Sequence, residues 1–373
     1  MGRRTLLLPS CALLWWCSSP PSVPPIDQAN LGAVPAAPDA GATTSTTVTT
    51  FALNALWLGD TTRDGTEDLY GAWRSFGYDL DGRVTIEDST NICALANNSR
   101  KSIQIDGNDG IDNSFGANVL LFLMVQTGTT NLSSDATSLI GAGTWTLQLR
   151  VAGLPADLQQ SATGLSAQAF VSGAFNGSPA FDATTDWPVL ASSVSDGATV
   201  ASGALVRFAT VYVNGGTVVA RDATQPLSLP VALWNYPGKP KAPELSVLTL
   251  RIHDPILTFV RSDATSAAQG TIAGVLDTKE IQAATTMLGD ALGSCDGIFG
   301  SAFADTQEIL SDGTNAPDTP CDAISIGIGF TAKVVANPTQ VGGSLPRPAC
   351  PGDAGAEGGA DAGVEGGADA TGD

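Results

Sequence analysis

Positive charge is what this chain has least of. Seventeen lysines and arginines stand against 37 acids in 373 residues, and histidine occurs once, at His253. Nucleic acid calls for a basic footprint on its phosphates, and charge-driven docking on anionic headgroups needs the same, so the composition argues against both. Charged residues of either sign are only 14% of the chain, against about a quarter in ordinary domains. The acidic excess suits cation binding and, more simply, solubility.

Catalytic signatures are also missing. There is no Cys-x-x-Cys for a zinc knuckle or a thioredoxin-like site, and no His-Glu-x-x-His. Gly164-Leu-Ser166-Ala-Gln168 lacks the last glycine of a nucleophile elbow. His253, in Arg251-Ile-His253-Asp254-Pro, has no companion signal for a triad and reads as a strand-end residue held by polar neighbours. Glu67, Glu87, Glu244, Glu280 and Glu308 are the glutamates outside the C-terminal tail, and none has a telling local context. A glycosidase pair would be spatial and leaves no trace in sequence. The sequence therefore leans away from an enzyme.

What is present begins with a targeting segment. Arg3 and Arg4 precede an apolar stretch from Thr5 to Cys17 that is too short for a permanent membrane span. Residues 1–17 read as an export signal of lipoprotein type, with Cys17 as the acylated anchor, although Trp16 stands where a small residue is usual. Cys11, after Leu8-Pro-Ser10, is the alternative acceptor, and Arg3-Arg4 as a twin-arginine signal is a weaker reading. Export places the protein at the outer membrane or cell surface if lipidated, and otherwise in the periplasm or medium, with membrane contact only through the anchor. Residues 18–50 are a Pro/Ala/Thr-rich linker, 51–345 the folded domain, and 346–373 a disordered Gly/Ala tail with acids at a strict spacing of four. Such spacing would stack like charges on a helix.

An oxidising compartment makes disulfides of the remaining cysteines. Cys295–Cys321 closes a short loop beside predicted helices, and Cys93–Cys350 follows by elimination.

Between the tails the pattern is mainly β. Gly143–Val151 alternates apolar and polar residues, and Leu205–Val213 runs through Asn214-Gly215-Gly216 into Thr217–Ala220, a hairpin signature. Short strands follow at 227–234, 246–252, 256–260 and 324–330. Separated by Gly, Asp and Pro turns, they predict an antiparallel β-sandwich of jelly-roll type with two or three short helices. Asp277-Thr-Lys-Glu280 is a capping box opening a helix from Thr278 to about Ala291; further helices are expected over Ala302–Leu310 and, capped by Asn113 or Ser114, over Phe115–Val125.

Two acidic, glycine-punctuated loops carry the binding signal. In Gly77-Tyr-Asp79-Leu-Asp81-Gly82-Arg-Val84-Thr-Ile-Glu87-Asp88, the residues Asp79, Asp81, Gly82 and Val84 match an EF-hand loop at positions three, five, six and eight. Gly77 at position one and Asp88 at position twelve depart from it. The second loop places Asp106, Asn108, Asp109, Asp112 and Asn113 within eight positions, with Gly107 and Gly110 allowing a tight path. Either loop alone reads equally as a polar turn whose Asp side chains cap amides. Folded together, Asp79, Asp81, Asp106, Asn108, Asp109 and Asp112 would supply the six to eight oxygens of a Ca2+ shell.

Trp187-Pro188 and Trp234-Asn-Tyr236-Pro237 are loop-adjacent aromatics suited to stacking on sugar rings, with core packing as the default. The ordered set of Gly-x-Asp-Leu-Asp-Gly at 77–82, the second acidic loop, Val-Tyr-Val-Asn-Gly-Gly at 211–216 and Cys-Asp-x-Ile-Ser-Ile-Gly-Ile-Gly-Phe at 321–330 resembles a group of predicted lipoproteins from myxobacteria. That resemblance spans roughly residues 50 to 335 and implies an envelope setting without an activity. The sequence thus predicts an exported, calcium-stabilised binding or surface-structural protein whose ligand, a carbohydrate or envelope component, is not specified. A secreted hydrolase or carbohydrate-binding module acting on polysaccharide is the alternative.

Overall fold

The computed structural model describes residues 32–96, 99–235, 244–291 and 303–345. Nine strands form one antiparallel sheet: β1 (Val48–Trp57), β2 (Thr146–Ala152), β3 (Ser166–Ser172), β4 (Val206–Asn214), β5 (Thr217–Ala223), β6 (Leu227–Asn235), β7 (Glu244–Arg261), β8 (Ser266–Asp277) and β9 (Ala323–Val335). Each strand pairs with its neighbour in sequence except β5 and β6, which both pair with β7, and β9 returns to β1. β5 and β6 act as one arm lying antiparallel along the 18-residue β7. β5 pairs from Thr217 with Val260 to Ala220 with Leu257, and β6 from Leu227 with Ile252 to Asn235 with Glu244. The β5–β7 pairing closes the sheet on itself.

The result is a closed eight-stranded up-and-down barrel in which β6 extends the fifth member, not the expected jelly-roll sandwich. A jelly roll needs long crossover connections between strands remote in sequence. Here every connection but the β5–β6 turn joins adjacent antiparallel strands. The mainly β, antiparallel character holds, but β1, β3 and β8 were not expected, the stretches at 246–252 and 256–260 are one strand, β7, and the sheet closes as a barrel. Period-two alternation fills the interior: Phe51, Leu53, Leu147, Leu149, Val213, Val218, Leu229, Ile252, Ile272, Ile326 and Ile328 all belong to one buried cluster. Phe259 lies between Phe51 and Phe330, with centroid separations of 5.0 and 6.4 Å. The barrel is a packed core and not a pore.

Three α-helices accompany it among the described residues. α1 (Leu120–Thr127) follows a π turn over Phe115–Val119, close to the expected helix, and Gly128 ends it at φ 71°. α2 (Leu132–Gly141) was not foreseen; Asn131 caps it by accepting from the Ser134 amide at 2.7 Å. α3 (Thr278–Ala291) begins as predicted, with the Asp277 carboxylate accepting from Lys279 and Glu280. Glu280 does not turn back on the cap; it binds His253 at 2.7 Å and Arg251 at 3.0 Å. Of the helix expected over Ala302–Leu310, Ala302 lies outside the described residues, Phe303 and Ala304 are helical, and the chain then turns so that Ile309 bridges Ala323.

The disulfide joins Cys93 to Cys321, overturning both expected pairings. A parallel bridge between Ala94 and Pro320, closed by Cys321 N donating to Ala94 O at 3.0 Å, sets the two cysteines side by side. Cys295 and Cys350, like Cys17, lie outside the described residues. Part of the segment read as a linker lies along the barrel: the Thr43 hydroxyl donates to Gly153 O at 2.6 Å, and Tyr212 donates to Pro35 O.

Candidate metal centre

The long connection from β1 to α1 lies against the outer face of β8 and β9. Its approach is set by Gly327, where a Cβ would fall 2.1 Å from the Phe76 carbonyl oxygen. Asn113 locks the contact. Its Nδ2 faces the carbonyls of Trp73, Phe76 and Gly327, each at 3.1 Å, while its Oδ1 accepts from the Gly116 and Gly327 amides at 3.0 Å. The sequence marked Asn113 as a helix cap; its larger task is to hold the connection to the barrel.

On this platform the two acidic loops meet. Asp112 N donates to Tyr78 O at 3.0 Å, and the Asp112 carboxylate accepts from the Leu80 amide at 2.6 Å. The first loop curls as its motif requires: Asp79 accepts from the Gly82 and Arg83 amides at 2.7 and 3.0 Å, and Asp81 from Arg83 at 2.9 Å. Carboxylate oxygens of Asp79, Asp81 and Asp112 lie within 4.8 Å of one another. Oxygens on opposite sides of a calcium ion stand about 4.6–5.2 Å apart, since each bond is 2.3–2.6 Å. A Cβ on Gly110, at φ 82°, would lie 2.6 Å from the Arg83 carbonyl oxygen and 3.3 Å from Asp79 Oδ2, so both oxygens face that glycine. In an EF-hand, position seven supplies a main-chain carbonyl, and Arg83 occupies it here. Asp112 comes from the second loop, where the EF-hand pattern would use the residue at Gly77.

The remaining predicted ligands divide. Asp106 is 7% exposed, accepts from the Thr85 amide, and is pushed up to about 8 by burial, with the charges of Asp81 and Asp79 adding to the shift. Asp109 is exposed at φ 54°, and Asn108 lines a separate cavity. Neither joins the triad.

Burial also raises Asp112 well above the usual carboxylate range and raises Asp79. Glu308, on the segment before β9, is pushed up to about 7 by burial. Its Oε1 accepts from the Ser325 amide at 2.9 Å, while its Oε2 has no partner. Among the described residues, no lysine, arginine or histidine nitrogen lies within 4.0 Å of Asp79, Asp81, Asp106, Asp112 or Glu308.

Sequence reasoning missed Asn315, whose amide donates to Asp81 at 2.6 Å, and gave Glu308 no role. The position-seven rule was the one signal that pointed to the Arg83 carbonyl. Core packing, the default for the tryptophans, holds at Trp187, which is fully buried, donating to Gly173 O at 2.7 Å and packed on Phe175 and Phe181. Trp234 packs partly buried against the core, while Tyr236 and Pro237 lie outside the described residues.

Set beside known proteins, the chain matches no family model, no curated protein and no solved structure.

Proposed function

We propose that the protein is an exported, lipid-anchored binding or surface-structural protein whose barrel is braced by Ca2+. One observation carries the metal: Asp112 is buried in the Asp79–Asp81–Asp112 cluster, the charges of the buried Asp106 and Glu308 act on it, and among the described residues no cationic side chain lies within 4.0 Å of these acids. Crowded carboxylates in a poorly solvated site repel one another and hold protons, and a divalent ion removes that penalty. Asp79, Asp81, Asp112 and the Arg83 carbonyl are the ligands, with Asp106 at the edge of the shell. The ion would fasten the β1–α1 connection to itself, so its role is stability. Export and anchoring through Cys17 rest on the sequence, and the resemblance to envelope lipoproteins of myxobacteria supports that placement.

The hydrolase alternative needs a carboxylate pair open to substrate. Glu308 is 6% exposed and bonded into β9 through Ser325, which favours binding over hydrolysis. Thermal melts of the purified chain with calcium and with EGTA test the metal. Calcium is expected to raise Tm by mass action; identical melts would sink the proposal.

A further inference from the structure

Beside the acidic triad lies a cavity of about 320 Å³, lined by Arg63, Tyr78, Asn108, Ile111, Gln269 and Thr271 among others. That volume is at the lower end of small-molecule sites, about 300–1,000 Å³. Its one charged wall is the Arg63 guanidinium. Nη1 donates to Gly270 O at 2.7 Å, Nη2 to the Thr271 hydroxyl at 2.8 Å, and the group stacks 4.7 Å over the Phe76 ring. Among the described residues no carboxylate lies within 4.0 Å of it. In a chain with 20 more acids than bases, an arginine held by a ring and neutral oxygens, without an acid, is an unbalanced charge. Two of its five N–H groups are engaged by those contacts, and the guanidinium fork suits the two oxygens of a carboxylate.

The rest of the lining is neutral and mixed. Asn108 and Gln269 bring amides that donate and accept, as hydroxyl recognition requires, while Tyr78 and Ile111 add apolar surface. Gln269 at φ 51° and Asp109, next to Asn108, at φ 54° both hold the left-handed conformation that non-glycine residues avoid.

We propose that this cavity binds a small carboxylated sugar, its carboxylate on Arg63 and its hydroxyls on Asn108 and Gln269. Binding is coupled to the cation, an element that rests on the metal reading above. Gly77–Tyr78 and Asn108–Ile111 wall the cavity, while Asp79 and Asp112, the next residues along, belong to the acidic triad. An empty triad repels an incoming anion; a filled one repels it far less, and it fixes both walls. Coupling of this kind is reciprocal: the ligand must tighten the cation to the same degree.

The test titrates the full chain with D-galacturonate, D-galactose and inorganic phosphate, each in calcium and in EGTA, by calorimetry. Galacturonate alone is expected to bind well, weakening about tenfold in EGTA and about tenfold in R63Q, a loss of about 1.4 kcal/mol each. N108A and Q269A, at the half-buried and exposed rim, should weaken binding without moving the melt, and they decide the matter if R63Q does not fold. Equal binding of galactose, binding of phosphate alone, no binding of galacturonate to the calcium-loaded protein, or undiminished binding by the rim variants would each overturn the proposal. The two readings fail separately. A calcium-shifted melt without galacturonate binding removes the sugar site alone. Galacturonate binding that EGTA does not change, with a melt calcium does not move, removes the metal and leaves the acid pocket.

Discussion

The side-chain amide of Asn315 donates to Asp81 at 2.6 Å across 234 residues of sequence, while its oxygen accepts from the Cys93 amide at 2.9 Å. One amide therefore touches both an acid of the candidate metal centre and a half of the disulfide. The Arg83 guanidinium adds bonds to Asn91 O and Asn315 O. The first acidic loop, the disulfide and the segment before β9 thus form a single stitched patch.

The triad should fail one acid at a time. D112N keeps the size of the side chain and removes a buried charge, so the calcium-free protein should melt no lower than wild type. The rise in Tm on adding calcium should be lost or reduced by at least half. Differential scanning fluorimetry across a calcium series reads both. An unchanged calcium response in D112N would remove Asp112 from the shell.

Calcium-free stability should fall as pH rises. Glu308 has a folded pKa of about 7 against an ordinary 4.5, and Asp106 about 8 against 3.8. Between the ordinary and the raised values the native state holds protons that the unfolded chain has released, so unfolding gains ground with rising pH. The contribution is fully present below about pH 4 and lost as pH climbs through about 7 to 8. E308Q should flatten part of this slope, raising stability at pH 8 relative to wild type with little change at pH 5. Chemical denaturation in EGTA at the two pH values checks it.

Breaking the disulfide should destabilise the fold and loosen the ion together. Cys93 and Cys321 are 228 residues apart, a separation that loop-closure entropy values at about 5.4 kcal/mol. The double variant C93A/C321A should lose stability of that order in denaturant titrations. Its calcium affinity should fall as well, because Asn315 links the two sites. Calcium binding unchanged in the double variant would show that the Asn315 bridge transmits nothing.

Asn113 should behave as a structural residue. N113A leaves several buried main-chain groups of Trp73, Phe76, Gly116 and Gly327 without partners. A loss of about 2–4 kcal/mol follows, since each unsatisfied buried group costs about 1–3 kcal/mol and relaxation recovers part of it. Urea denaturation measures it.

How far the sequence could be read depends on range. Local devices were legible: the Asp277 cap of α3, the Asn214–Gly216 turn between β4 and β5, and the Asp79–Gly82 curl are written within a few residues of one another. Closure was not legible, because the long β5/β6 arm along β7 depends on register between stretches separated by turns, and alternation looks the same in a sandwich and a barrel. The disulfide was missed for a related reason. Spacing favoured near neighbours, whereas a bridge between Ala94 and Pro320 decides the partner. In the candidate metal centre, the convergence of Asp79 and Asp81 with Asp112 follows from two visible motifs. The contributions of Asn315 and Glu308 arise only when the segment before β9 is folded against them.

The pairing of Cys93 with Cys321 gives the molecule a covalent hoop. Strands β2 to β8 all lie within its 228-residue span, while β1 and β9, just outside it, pair from Thr50 with Val335 to Trp57 with Gly329. A protease that nicks any loop between the two cysteines cannot release a fragment by that single cut. The pieces stay tethered, and the clipped molecule migrates near its full mass until a thiol is added. Under the proposed export, which would set the protein where peptidases are common and reductants few, one cleavage is then an injury the molecule can carry without coming apart.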